Sequence, residues 1–135
     1  SKNSKKVGEL VITLNWIKVS SDKITVMLEI FNQSAKKYKI QRASNKTPSL
    51  IDEKANIFSF GGGLLTGNYA WKSGKYPTLE PNSKFYMPLF FKFKDSHMDI
   101  KEIGNNFIFS LNYNLYDVKT KSGSQSSVSF ADIKP

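Results

Sequence analysis

The residues whose spacing first suggests chemistry are the glycines of FGGGLLTGNYAW, Phe60 to Trp71. Gly62 and Gly67 match the two glycines of the P-loop pattern G-x-x-x-x-G-K-[ST]. Asn68 and Tyr69 then stand where that pattern needs a lysine for the phosphates and a hydroxyl for magnesium. A P-loop must also open a helix, and NYAWKSGKYP does not read as one. The dinucleotide fingerprint G-x-G-x-x-G fails as well, because Thr66 occupies the third glycine position after Gly61 and Gly63. Nucleotide binding is set aside. What remains is a glycine corner, followed by Tyr69, Trp71 and Tyr76. These aromatics are the candidate ligand-binding group, suited to stacking on sugars or peptides; packing into the core is the plainer reading.

Catalytic constellations are sparse. His97 is the single histidine, and DSHMD puts Asp95, His97 and Asp99 on one face if extended. Zinc and iron sites usually take more histidines, and no G-x-S-x-G elbow accompanies His97. Cysteine is absent, which removes thiolate nucleophiles, zinc-thiolate sites and disulfides. Asp52, Glu53 and Glu80 lie in turn-like contexts and do not pair for glycosidase chemistry. No catalytic residue, metal ligand or cofactor is assigned, and the expectation is a protein that is not an enzyme.

Binding through charge is the next option. The formal net charge is +9, with 20 Lys and Arg against 11 Asp and Glu, and Arg42 is the lone arginine. Specific nucleic-acid readout recruits the bidentate arginine fork, so no specific nucleic-acid partner is expected. Anionic surfaces and glycans stay open as partners, beside protein and cell-surface components. KKYKIQR concentrates Lys36, Lys37, Lys39 and Arg42 around Tyr38 as a basic surface. A solvated strand edge protected by lysines is the plainer and preferred reading. Asn32-Gln33-Ser34 and Asn45-Lys46-Thr47 match the N-glycosylation triplet.

The elements that must position these groups are strands. Apolar residues alternate with a period of two. Leu10, Ile12, Leu14 and Trp16 share one face of the first run; Ile24, Val26, Leu28 and Ile30 share one face of the second. Val19 to Lys23 forms the turn between them. YKIQR is a short strand, and SLIDEKANIFSF is strand, turn, strand with Asp52 to Asn56 at the bend. KFYMPLFFKFK aligns Phe85, Met87, Leu89, Phe91 and Phe93, and its Pro88 predicts an edge strand or a bulge. DSHMDIKEIGN has room for a helical turn. NFIFSLNYNLYDV alternates again, KTKSGSQ is a turn, and SSVSFADI is the last strand. Seven to nine strands and no long amphipathic helix predict an all-β, immunoglobulin-like antiparallel β-sandwich over 9–135, with a closed barrel as the architectural alternative. Residues 1–8, opening SKNSKK, are expected as a disordered polar lead-in. That start fits either a chain whose upstream signal or anchor segment has been removed or an ordinary fragment boundary. No run of about 18 apolar residues occurs, so no membrane-spanning helix is expected.

The order of pieces resembles the telokin-like, immunoglobulin-like domains of bacterial cell-envelope lipoproteins and secreted immunoprotective antigens. The resemblance rests on KITVMLEIFNQS ending in Asn32 and Ser34, on Asp52, Asn56 and Phe58 in a D-x-x-G-N-x-aromatic hairpin, and on Leu79, Pro81 and Lys84 leading into Phe91. Ala55 replaces the hairpin glycine and Asn82 the turn glycine. Asn tolerates left-handed backbone and Ala does not, so the hairpin turn is the departure that matters. The resemblance implies a non-enzymatic, extracytoplasmic domain, at the cell envelope or secreted, lipid-anchored where an upstream lipobox cysteine precedes it. It implies protein or surface interaction as the function, with a carbohydrate-binding module using the loop aromatics as the alternative.

Overall fold

The computed structural model describes residues 3–44, 46–62, 64–65, 69–70, 76–93 and 98–135. The strands are β1 (Ser4–Val7), β2 (Leu10–Val19), β3 (Lys23–Asn32), β4 (Tyr38–Arg42), β5 (Ser49–Asp52), β6 (Ile57–Gly62), β7 (Leu64–Leu65), β8 (Tyr69–Ala70), β9 (Thr78–Leu79), β10 (Ser83–Lys92), β11 (Phe107–Asp117) and β12 (Ser122–Ile133). All pairings among them are antiparallel. The first sheet runs β1-β2-β3-β10-β6. In the second, β11 carries β12 along one flank and both β5 and β4, end to end, along the other. Strand β6 belongs to both sheets: Ile57 and Phe58 pair with β5, while Ser59, Phe60 and Gly62 pair with β10. A register shift between Phe90 and Phe91 accommodates the crossing.

Inward-facing residues of the two sheets form one hydrophobic cluster, and its centre is aromatic. Phe60 meets Phe91 edge-on at 5.8 Å, Phe91 meets Phe109 at 6.0 Å, and Phe109 stacks on Phe130 at 6.5 Å. The alternation predicted for β3 and β11 holds: Ile24, Val26, Leu28 and Ile30 are buried, as are Phe107, Phe109, Leu111 and Tyr113. Pro88 stands opposite Met27, two positions before the β6 ladder begins at Phe90. Its missing N–H therefore costs no ladder bond on the β6 side.

Two elements differ from the sequence reading. Ser4–Val7, expected without regular structure, is a strand paired with Val7 opposite Leu10. A two-residue turn, Gly8-Glu9, makes the pairing, and Gly8 takes the positive φ of 60° it requires. KTKSGSQ was expected as the last turn, but β12 already begins at Ser122, with Gly123 opposite Tyr116. The turn is Val118–Lys121. Asp117 organises it, accepting from the N–H groups of Lys119 and Thr120 at 3.0 and 3.3 Å. Gly123 lies against the Asn114 side chain, whose amide would have to shift to admit a Cβ placed 2.6 Å from it.

Polar side chains tie the loops to the strands. Asn32 is fully buried at the end of β3. Its Nδ2 donates to the carbonyls of Lys36, Leu79 and Glu80 at 2.7, 3.2 and 3.2 Å. Its Oδ1 accepts from the Ser34 N–H and hydroxyl at 3.1 and 2.7 Å. An amide so committed is not an accessible glycosylation acceptor; Asn45, the other triplet, lies outside the described residues. At the opposite end Asp52 Oδ1 accepts from Lys54 N and Asn56 N, and Oδ2 from Asn56 Nδ2 and Gly104 N, all within 2.7–3.0 Å. The neighbouring Glu53 carboxylate holds Asn105 N and Asn106 N at 2.9 Å. It lies over Gly104, where any Cβ would collide with it. Burial pushes the Asp52 pKa up, but the accepted hydrogen bonds outweigh it, and the net shift is downward. Ala55 keeps the hairpin turn of the glycine it replaces, at φ 63°, and Asn82 likewise at φ 53°.

Three stability measurements follow from these contacts. Asn32→Ala strands buried carbonyls and the Ser34 N–H, and denaturant unfolding should show a loss of about 2–4 kcal/mol. Ala55→Gly relieves left-handed strain and should raise stability by about 1 kcal/mol. Because the folded Asp52 pKa is lowered, its contribution is complete above the unfolded value of about 4. It disappears as pH falls through the folded value. Asp52→Asn should flatten the acid limb of a stability–pH profile; an unchanged limb would show that this carboxylate is not a source of acid sensitivity.

Candidate functional site

The sequence put Trp16 in the core with Leu10, Ile12 and Leu14. The structure turns it out. Leu14 pairs with Leu28 but Trp16 pairs with Met27, so Asn15 is an extra residue in the ladder. Beyond this bulge the parity of β2 reverses: Ile17 is buried, and Trp16 is 45% exposed on the outer face of the first sheet. Tyr86 of β10 joins it there at 53% exposure, opposite Glu29.

Register places their neighbours. One cross-strand row reads Trp16, Met27, Pro88; the next towards the β2–β3 turn reads Lys18, Thr25, Phe90; on the other side lie Thr13, Glu29, Tyr86, then Val11, Phe31, Lys84. Directly opposed residues share a face, so Trp16 and Tyr86 stand on one surface with Met27, Phe31, Pro88 and Phe90 half-buried between and beside them. Strands lie about 4.8 Å apart, so β2 and β10 are roughly 10 Å apart across the sheet, with Tyr86 one row along from Trp16. Lysines rim the surface. Lys23 Nζ sits 4.9 Å over the Phe90 ring, and Lys84 Nζ 6.0 Å over Phe31 and 3.9 Å from Glu29. Lys18 and Lys92 are exposed beside them. Where Lys23, Lys92, Phe90 and Phe93 meet Gly61 and the Ser21-Asp22 turn, the surface dips into a cleft of about 440 Å³.

The sites predicted from sequence are dispersed. Trp71 and His97 lie outside the described residues, as does the Tyr69 side chain, whose backbone pairs with Leu65 in the β7–β8 hairpin. Tyr76 is half-buried and packs against the hydrophobic cluster. Lys36, Lys37, Lys39 and Arg42 are all exposed. Lys36 and Lys37 meet Lys119 and Asp117 around a second cleft of about 480 Å³, and Lys37 pairs with Glu80 at 3.6 Å. Lys39 sits opposite Tyr116 on the outer face of the second sheet. Among the described residues no group of three or more His, Asp or Glu side chains is arranged to hold a metal, and no helix is long and apolar enough to cross a membrane. The signal for the Trp16 surface was faint in sequence. Asn15 in the middle of an apolar alternation is compatible with a bulge but does not announce one.

No protein-family model matches the chain, and no curated protein matches it in sequence. Solved structures do. The PapD-like domain 7 of human CEP192 is 12% identical with a TM-score of 0.49, over 97% of this chain and 91% of that one. The apo PCuAC domain of PmoF1 is 17% identical with a TM-score of 0.48, over 98% and 99%. The GAE domain of yeast GGA1 is 14% identical with a TM-score of 0.50, over 94% of this chain and 93% of that one. With the strand order above, the last of these establishes the architecture: the chain is an immunoglobulin-like antiparallel β-sandwich.

Proposed function

We propose that this protein is a non-catalytic binding domain that works outside the cytoplasm, at the cell envelope or secreted, and that its contact surface is the outer face of the first sheet. The observation that carries the reading is the pair of exposed rings, Trp16 and Tyr86, standing on one lysine-rimmed face. Large aromatics desolvate well at the centre of an interface, and a charged rim steers the approach of the partner. The location is carried over from the telokin-like resemblance at Asn32, Asp52 and Leu79, residues that here tie loops to strands. A lipid anchor upstream is part of the same reading.

Carbohydrate binding is the second reading. Two exposed rings on an open sheet face are a platform for sugar stacking as well as for protein. A Trp71→Phe background isolates Trp16 emission. Titration with cell-wall or plant glycans shifts or quenches it if sugars bind this face; a flat titration removes this reading.

The protein reading is tested by placing a photo-cross-linking residue at position 86 and irradiating in an envelope fraction of the native host. A discrete product is expected, competed away by unlabelled protein and not by the Trp16→Ala, Tyr86→Ala double variant. Equal competition by the double variant would show that the rings are not the contact. Both side chains are exposed, so the double variant should lose no more than about 1 kcal/mol of stability.

A further inference from the structure

The outer face of the second sheet is polar over most of its length, where Ser110, Asn112 and Asn114 alternate along β11. Its apolar strip is a cross-strand row. Ile108 stands opposite Ile51, and Ile51 opposite Ile57. The three are 45%, 37% and 62% exposed. Ile100 is exposed on the loop that Asn56 and Asp52 bind through Glu102 O and Gly104 N, at the same end of the molecule. Acidic residues gather there in an otherwise basic chain: Glu53, Asp99, Glu102 and Asp132 are all exposed, beside Lys54, Lys101 and Lys134. The Trp16–Tyr86 face carries mainly the opposite charge, Lys18, Lys23, Lys84 and Lys92, with Glu29 on it paired to Lys84.

We infer that these two surfaces are each other's partners between copies of this chain. The Ile51–Ile57–Ile108 row of one copy docks on the Trp16–Tyr86 face of the next, acidic rim against lysine rim. This rests on the reading of the Trp16–Tyr86 face as a contact surface and names its occupant. Apolar side chains supply the centre of the contact, and complementary charge at the edges sets orientation. A standard interface takes about 800 Å² from each partner, roughly a tenth of a surface of 7616 Å². The two patches differ and lie on opposite outer faces of the sandwich. The contact is therefore heterologous and head-to-tail, and a docked pair still presents one free patch of each kind.

Sedimentation velocity on the intact protein tests this. The weight-average coefficient should climb with concentration from micromolar to millimolar without a plateau at dimer, and less steeply in high salt. Ile57→Lys, or Ile108→Lys should the first variant fold poorly, blocks the strip; Trp16→Ala blocks the aromatic face. Each alone should weaken association at least tenfold, while Ile57→Leu retains it. Mixed together they should form a dimer that stops there, because one competent pair of faces survives between them. A wild-type chain monomeric to millimolar concentration, a twofold dimer indifferent to both variants, or a mixture that stays monomeric overturns the inference. Association lost in Trp16→Ala but kept in both lysine variants also overturns it, and leaves the Trp16–Tyr86 face standing as a contact surface for a different partner. Equal competition by the Trp16→Ala, Tyr86→Ala double variant in the cross-linking experiment is what sinks that earlier reading.

Discussion

The two sheets are held together where Phe91 of β10 meets Phe109 of β11, ring edge to ring face at an interplanar angle of 87°. Everything inward of the strands is arranged around that contact. Phe60 reaches it from the crossing strand and Phe130 continues it into β12. Aromatic pairs in such geometry add about 0.5–1.5 kcal/mol beyond the area they bury, and truncating a core phenylalanine costs about 3–5 kcal/mol. A sandwich without disulfides depends on such contacts, because no cross-link other than the chain itself joins the layers. The shift of β6 from one sheet to the other keeps Phe58 and Phe60 in the same core while they pair with different strands.

The phenylalanine contact orders the layers but not the loops between them, and that work falls to two polar groups. Asn32 links the end of β3 to the segment entering β10 through Leu79 and Glu80. Asp52 links the β5–β6 hairpin to the segment entering β11 through Gly104. Each is buried and each is bonded on both sides of its head group, the condition under which a buried polar group stabilises rather than costs. The persistence of φ 63° at Ala55 has the same origin. Two Asp52 hydrogen bonds, from Lys54 N and Asn56 N, bracket that residue and hold the turn closed against the steric cost of its methyl group.

The strands were legible in the sequence because a half-buried sheet writes its pleat directly into the alternation of apolar and polar residues. Ile24 to Ile30 and Phe107 to Tyr113 show this. The structure departs from the alternation where a single residue resets parity. Asn15 does so in β2, and the Trp16 that follows it moves from core to surface. A period-two pattern carries no mark of such an insertion, since apolar residues on both sides of it stay apolar. The hairpin β11–β12 was placed late for a related reason. Gly123 looked like the turn residue, whereas the turn is made by the Asp117 carboxylate and by Lys121 at φ 57°. Gly123 instead lies against the Asn114 side chain. The β1 strand has only lysines and serine before its valine, and pairing to β2 rather than hydrophobicity orders it.

A net charge of +9 describes the chain but not its surface. The acids Glu53, Asp99, Glu102 and Asp132 are exposed at the end of the molecule that carries the isoleucine strip, and the lysines of β2 and β10 with Lys23 of β3 share the aromatic face with Glu29. Folding therefore gathers acids at the isoleucine end of the second sheet and lysines on the aromatic face, although each surface keeps some of the other sign: Lys54 and Lys101 at the first, Glu29 at the second. Composition alone suggests a diffuse attraction to anionic polymers, screened within about 8 Å at physiological salt. Segregation suggests something more selective, because an apolar centre within a rim of one sign favours a partner with the opposite rim and repels a like one. The bulge at Asn15 is what makes this arrangement available: without it Trp16 would stay in the core, and the lysine rim would enclose no exposed tryptophan.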